Sequence, residues 1–417
     1  MKKIFTLLIL FSAVMLCALE IVPAGKKYLY KTGEEIVFKV TLDKNRKDAK
    51  VQVRVAGNAE PDRNYTANAD SNGVLEVRCA GDKPGFIYVE VKNSGSVARA
   101  GAGVEPEKIV TGRPCPESFD QYWQSAVKRL SLMPLSYEIK EIAKPRKGFR
   151  AFELQIGMEG ETTNLFAVMT MPEDAQPGRL AAEVVFHGAG TDKVFPLYRS
   201  ETMVLSVNPM SIKHEGKQSS TIRQKDGQFY QYYYWGVNDL QKNYFPGMFK
   251  RAFRALQFIK SQPQWDHRTL IVRGGSQGGA QSLVAAALDP QVTLCIACVP
   301  ALCDHGGNEA GRVSGWPRYF TREEYKNDPD KAAKLLDMID VAFFARNIRN
   351  PQVLVTAGFI DRTCVADSVY AAYNLIPAKN KAIANDFLTA HTVSKETSKR
   401  IEKLITEHIR KNHEIFK

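Results

Sequence analysis

Apolar and polar positions alternate over the first quarter of the chain. Between Glu34 and Leu42 the apolar residues are Ile36, Phe38, Val40 and Leu42, and Val51, Val53 and Val55 repeat the period of two. The runs Gly73 to Cys79 and Gly85 to Val91 follow the turn-forming stretches Ser71-Asn72-Gly73 and Asp82 to Gly85. Residues two apart share one face of a strand, and Asn, Pro and Gly supply the turns between strands. This pattern predicts a β-sandwich, immunoglobulin-like, over residues 20–103. It carries no cluster of catalytic residue types, so its expected role is that of a spacer or packing domain. The alternative is sugar binding through exposed rings such as Tyr28, Tyr30 or Tyr65. Gly101 to Glu107 reads as a linker by composition.

From residue 110 to 417 the period changes. Phe119, Trp123 and Val127 lie four apart, which puts them on one helix face between Pro116 and Leu130. Tyr137 to Ile142, Phe149 to Ile156 and Asn164 to Thr170 alternate and read as antiparallel edge strands. Short apolar runs follow at Ala182 to Phe186, Val204 to Val207, Leu270 to Arg273, Leu294 to Val299, Val353 to Gly358 and Ile383 to Leu388. Helical stretches separate several of them, including Met248 to Ile259, and Ser394 to Lys411 closes the chain. Strands alternating with helices predict an α/β fold with a mostly parallel sheet. About fifty residues between Pro300 and Pro351, with helix signals from Lys331 to Ala345, form an insertion at the position that covers a site's mouth.

One junction organises the rest. Leu270 to Val272 runs into Gly274-Gly275-Ser276-Gln277-Gly278, then into the helix former Ala280 to Leu288. Strand, tight turn and helix around G-x-S-x-G is the context of a nucleophile elbow. A serine nucleophile needs a base, and the base needs an orienting acid. In an α/β-hydrolase these follow in the order Ser, acid, His. Of the seven histidines, His187, His214 and His267 precede Ser276, and His305 precedes the favoured acid. His408 and His413 stand at the charged end of the terminal helix and read as solvated. His391, just after the last strand, is the candidate base. Asp361, after the strand Val353 to Gly358, is the candidate acid, with Asp304 as runner-up and Arg312 or Arg318 as its alternative partner. An oxyanion needs preset donors. The backbone N–H of Gln277 is one, and that of Ala189 in His187-Gly188-Ala189-Gly190 is the second.

Composition narrows the class. Of 417 residues, 44% are hydrophobic and 24% charged, which describes globular domains with a large core. The net charge of +12 is scattered, without basic runs interleaved with aromatics, so no nucleic-acid partner is expected. An acidic polysaccharide remains compatible with it. Residues 1–19 read as a signal peptide: Met1-Lys2-Lys3, then apolar residues Ile4 to Leu16, too short to span a membrane. Cys17 would suit lipid attachment, but Leu16 precedes it where a small residue is expected. The chain is expected to be exported, periplasmic or extracellular. Cys295-x-x-Cys298 lies inside an apolar run and reads as buried thiols, not as a metal site.

The segments Phe186 to Gly190, Gly274 to Gly279, Val299 to Asp304, Asn350 to Gly358 with Asp361, and Tyr370 to Asn374 together resemble the acetyl xylan esterase / cephalosporin C deacetylase family of carbohydrate esterases. The resemblance runs over roughly residues 110–412 and leaves the β-sandwich out. It implies an α/β-hydrolase fold and a serine carboxylesterase removing small acyl groups, acetyl above all, from oligo- or polysaccharide. It implies Ser276 as nucleophile, Asp361 as acid, His391 as base, backbone donors at Ala189 and Gln277, and no cofactor. The chain departs from the family at Ala189, where a Tyr usually stands, and at Thr392, where a Glu usually follows the histidine. The Arg-Gly-Gln motif is not found in the 205–240 region either. Two alternatives remain at this stage: a serine peptidase on the same fold, and a glycan-binding protein with a silent esterase domain. The oligomeric state is left open.

Overall fold

A computed structural model describes residues 19–42, 49–190, 193–210, 227 and 229–414. The expected signal peptide lies, but for Leu19, outside the described residues, as does His214. Eight strands come first: β1 (Glu20–Pro23), β2 (Leu29–Tyr30), β3 (Glu35–Thr41), β4 (Lys50–Gly57), β5 (Arg63–Asn68), β6 (Val74–Ala80), β7 (Gly85–Asn93) and β8 (Ser96–Val104). They form two sheets, β1-β3-β6 and β2-β8-β7-β4-β5. The alternating residues Ile36, Phe38 and Val40 meet Val51, Val53, Val55, Val89 and Val91 in one buried core. Removing this apolar surface from water holds the sandwich closed, at about 25 cal/mol per Å².

One expectation about this region is corrected. Gly101 to Val104 is not a linker but the end of β8. Its small residues permit close approach: a Cβ on Gly101 would lie 2.3 Å from the carbonyl oxygen of Phe359. The three tyrosines are less open than the run of the chain suggests. Tyr30 is buried, the alternation of β5 turns Tyr65 toward the core, and Tyr28 stacks on Phe387 with ring centroids 4.1 Å apart.

The second part is built on strands β9 (Tyr137–Glu141), β10 (Phe149–Ile156), β11 (Leu165–Pro172), β12 (Leu180–Phe186), β13 (Thr202–Val207), β14 (Trp265–Gly275), β15 (Leu294–Cys298), β16 (Gln352–Gly358) and β17 (Lys381–Asp386). They make one nine-stranded sheet in the order β17-β16-β15-β14-β12-β13-β11-β10-β9. β12 to β17 pair in parallel, and β9, β10 and β11 add antiparallel pairs at one edge. The helices are α1 (Phe119–Leu132), α2 (Tyr244–Lys260), α3 (Gln277–Leu288), α4 (Glu323–Asn327), α5 (Pro329–Asp337), α6 (Val341–Ala345), α7 (Ala366–Leu375) and α8 (Lys395–Glu414). Period-two burial splits the central strands between two cores. Leu270, Val272, Cys295 and Ala297 face one cluster, while Ile271, Leu294, Ile296 and Leu354 meet Ile401, Ile405 and Ile409 of α8 on the other side. Helices on both faces are what a parallel sheet requires.

The insertion helix expected from Lys331 to Ala345 is two helices, α5 and α6. Asp340 breaks it: its carboxylate accepts from the N–H of Ala342 and from the N–H groups of Asp304 and His305. The sandwich is not a free spacer. Phe86 belongs to the core of the large sheet, with its ring 4.9 Å from Phe359 and 5.6 Å from Tyr370. Asn374 Nδ2 donates to the carbonyls of Pro106 and Ile109, tying α7 to the chain that leaves the sandwich.

Candidate active site

Ser276 sits between the end of β14 and the start of α3, with φ 56° and ψ −120°. Such a backbone is strained for a residue with a Cβ and persists only where the surroundings impose it. Here they do. The Ser276 N–H donates to Cys298 O (2.8 Å), and its carbonyl accepts from the N–H groups of Ala280 and Ala301 (3.1 Å each). The flanking glycines let the turn press against β12. A Cβ on Gly274 or Gly278 would lie 2.4 or 2.1 Å from Phe186 O. Gln277 opens α3, so its N–H belongs to the positive end of a helix.

The loop after β12 lies at this turn. A Cβ built on Gly188 would be 3.8 Å from the Ser276 Cβ. Ala189, the next residue, is exposed in a turn with Gly190 at φ 73°. Gln281 Nε2 donates to His187 O (3.4 Å), which fastens the loop to α3.

Asp361 lies in the loop between β16 and α7 and is fully buried. One carboxylate oxygen accepts from the N–H groups of Thr363 (2.7 Å) and Cys364 (3.0 Å). The other is 2.7 Å from Nδ1 of His391, whose side chain is 30% exposed. A buried carboxylate with both oxygens occupied is fixed in orientation. The two loops are also bonded to each other, Phe359 N–H to Asp386 O and Ile360 N–H to Thr389 O (3.2 Å each). Asp386 closes the base's loop by accepting from Ser394 N–H and Thr397 Oγ1. β14, which carries Ser276, lies two strands from β16 in the sheet, and burial holds the Cys364 thiol of the acid's loop above the usual thiol range. The structure therefore brings Asp361 and His391 into contact and places Ser276 at the end of a strand in the same sheet.

The other candidates fall elsewhere. Asp304, the runner-up acid, is buried and accepts from Gly112 N–H (2.7 Å) and from Arg312 Nη2 (2.8 Å), so it holds loops together. His305 is buried, and desolvation pushes its pKa down to about 3. His408 is not solvated as expected. Its Nε2 is 2.9 Å from Thr293 Oγ1, and burial lowers its pKa to about 4. The six described cysteines are free thiols. Among the described residues no cluster of His, Cys, Asp and Glu has the makings of a metal site, and no helix is long and apolar enough to cross a membrane.

Two features near the site escape a reading by motif. Tyr232 Oη donates to Gln277 Oε1 (2.5 Å), which anchors the Tyr-rich stretch to the residue after Ser276. Trp316 of the insertion packs its ring 5.2 Å from Tyr233, and its carbonyl accepts from Leu302 N–H, next to the Ala301 that bonds Ser276. Together they form an aromatic wall from two distant segments. Only the density of tyrosines hinted at it.

A mostly parallel sheet flanked by helices, with a strained serine between strand and helix and an Asp–His pair on neighbouring strand ends, defines the α/β-hydrolase class. The comparisons with known proteins narrow it. Residues 107–404 match the acetyl xylan esterase (AXE1) family. The chain belongs to that family. It is 28% identical over 395 residues, 90% of its own length and 87% of the relative's, to the acetyl esterase Axe7A of Xylanibacter ruminicola. The acetyl xylan esterase of Paenibacillus sp. R4 superposes with a TM-score of 0.62 at 21% identity, covering 73% of this chain and 98% of that one. Acetyl xylan esterase 1 of Thermoanaerobacterium sp. JW/SL YS485 gives 0.59 at 22% identity with the same coverage. At these identities the superpositions show the shared fold. The family makes this protein a carboxylic ester hydrolase.

Proposed function

We propose that this carbohydrate esterase removes acetyl groups from xylan-like polysaccharide with Ser276, His391 and Asp361 as its catalytic residues. The observation that carries the assignment of residues is the 2.7 Å contact between Asp361 Oδ2 and His391 Nδ1, at strand ends of the sheet whose β14 runs into the strained Ser276. With Nδ1 engaged by the acid, Nε2 of His391 is the free basic nitrogen. It accepts the Ser276 hydroxyl proton as Oγ attacks the acetyl carbon. The carbonyl oxygen becomes an oxyanion, for which the N–H groups of Gln277 and Ala189 are the proposed donors. The sugar oxygen leaves with the proton from His391, and an acetyl-serine forms. Water then gives a proton to His391 and attacks the acetyl carbon; as the bond to Oγ breaks, His391 returns that proton to Ser276, and acetic acid leaves and ionises to acetate in solvent.

The substrate follows from the family and from the names of the relatives. We propose export as well, on the basic start and apolar run of residues 1–19. Acetate release from acetylated xylan, compared with release from nitrophenyl esters of increasing acyl length and from a peptide amide, tests the reading. Acetyl esters are expected to turn over fastest, and the amide not at all. Equal turnover of long acyl esters, or cleavage of the amide, would contradict it.

A further inference from the structure

The outward face of the five-stranded sheet does not end in open solvent. In register, Arg54, Glu90 and Arg99 form one row across β4, β7 and β8, and Ala56, Tyr88 and Gly101 form the next. The second row rests on the segment that carries the acid. Gly101 lies against Phe359 O, and Tyr88 Oη donates to Asp367 Oδ2 (3.2 Å) at the start of α7. The first row stands clear of that contact and floors a cleft of about 370 Å³. Arg312, Arg318 and Arg362 of the esterase part line its opposite side, and Asp361 touches it. The volume falls within the roughly 300–1,000 Å³ of small-ligand clefts.

Five arginines and four carboxylates line the cleft. Glu90 alone is shared by Arg99 (2.7 Å), Lys92 (3.0 Å) and Arg362 (3.5 Å). Arg54 meets Asp62 only at 3.4 Å. Asp361 is engaged by His391. Asp367 is bonded to Tyr88, and burial pushes its pKa up to about 7. Arg318 donates to Arg362 O and has no carboxylate among the described residues within ion-pair distance. Arg312, 7% exposed, is paired with Asp304 outside the cleft (2.8 Å), so Arg318 is the lining guanidinium left without a carboxylate. Guanidinium groups present paired N–H donors in a plane that fits a carboxylate.

We infer that this cleft is a subsite for a carboxylate-bearing sugar unit, so that the natural substrate is an acetylated polysaccharide with uronic acid residues. The inference rests on the esterase reading for its substrate class. A polymer whose ester lies over Ser276 has the Asp361 loop beside it, and the cleft is the other side of that loop. The sandwich then contributes Arg54 and Arg99 to substrate selection without touching the reacting atoms.

Calorimetric titration of the full chain tests it. The probes are a deacetylated xylo-oligosaccharide with one glucuronate branch, the same oligosaccharide with that carboxyl reduced to an alcohol, and free glucuronate. The acidic oligosaccharide should bind at least about tenfold more tightly than the reduced one. The double variant Arg99→Gln/Arg362→Gln should remove that difference, and Arg362→Lys should keep part of it. Should the double variant melt early, Arg362→Gln alone serves, since that side chain is 61% exposed. Equal affinity for the acidic and reduced oligosaccharides, or an undiminished preference in the arginine variants, would overturn the subsite. So would free glucuronate binding as tightly as the oligosaccharide. Binding needs no turnover, so a preference for the acid in a protein that cleaved no ester would sink the esterase reading and leave the cleft standing.

Discussion

Asp361 Oδ2 and His391 Nδ1 stand 2.7 Å apart, one after β16 and the other after β17. The acid is buried and held by two backbone N–H groups, so it cannot turn away from the imidazole. Its proposed job is to keep Nδ1 protonated and Nε2 free. Asp361→Asn replaces an acceptor with a donor and favours the wrong tautomer. It should lower kcat by about 10⁴-fold, as loss of this partner does in serine hydrolases, with KM little changed. Steady-state kinetics on nitrophenyl acetate check this, and a loss below tenfold would count against the role.

The elbow's tightness makes a separate prediction. A methyl group on Gly278 would fall 2.1 Å from a backbone carbonyl oxygen, which cannot rotate away as a side chain could. Gly278→Ala should destabilise the fold by about 1–3 kcal/mol or more in urea titration and abolish activity. Wild-type stability in that variant would show that the turn is looser than described.

The sandwich should matter to kcat. Gly101→Ala would put a Cβ 2.3 Å from Phe359 O, two residues before Asp361. The acid's loop must move, and a displacement of about 1 Å is enough to cost 10²-fold in rate. The expected outcome is a fall in kcat larger than any change in KM, with the melting temperature lowered but the protein folded at the assay temperature. Unchanged kcat would mean that the two parts are merely adjacent.

Histidines predict how stability depends on pH. Burial first, then the nearby Lys411, hold His408 down at about 4, against an unfolded value of about 6.5. His187 is lowered to about 4 for the same first reason, with Arg273 second. Between pH 6.5 and 4 the unfolded chain binds protons that the folded chain does not. Stability from these groups is therefore full above pH 6.5 and is lost as pH falls toward 4. Each contributes about 3 kcal/mol at most over that window. His408→Gln should flatten the fall measured by urea titration at stepped pH. An identical slope in the variant would mean that His408 titrates normally.

Much of this architecture was legible because the relevant signals are local. Period-two runs marked the sandwich and edge strands, and short apolar runs marked the buried parallel strands. The strand-turn-helix context singled out Ser276, and chain order singled out Asp361 and His391. What the chain hid was tertiary. Gly101 reads as linker because composition cannot say that a glycine faces another backbone. Tyr28 looked like an exposed ring because its partner, Phe387, is more than 350 residues away. His408 sits on a polar helix, and only the approach of Thr293 shows that it is enclosed. Tyr232 binds Gln277 across 45 residues with no motif to announce it. Each is a meeting of side chains from distant segments, and a pattern along the chain does not record such meetings.

The central claim is that Ser276 is the nucleophile and is activated through His391. Treatment with an organophosphonate that reacts with activated serines, followed by intact mass and peptide mapping, tests it most directly. The account predicts one adduct per chain on Ser276, loss of esterase activity in step with labelling, and no adduct in His391→Ala. Labelling at another residue in step with inactivation, or full activity in protein labelled at Ser276, would contradict it.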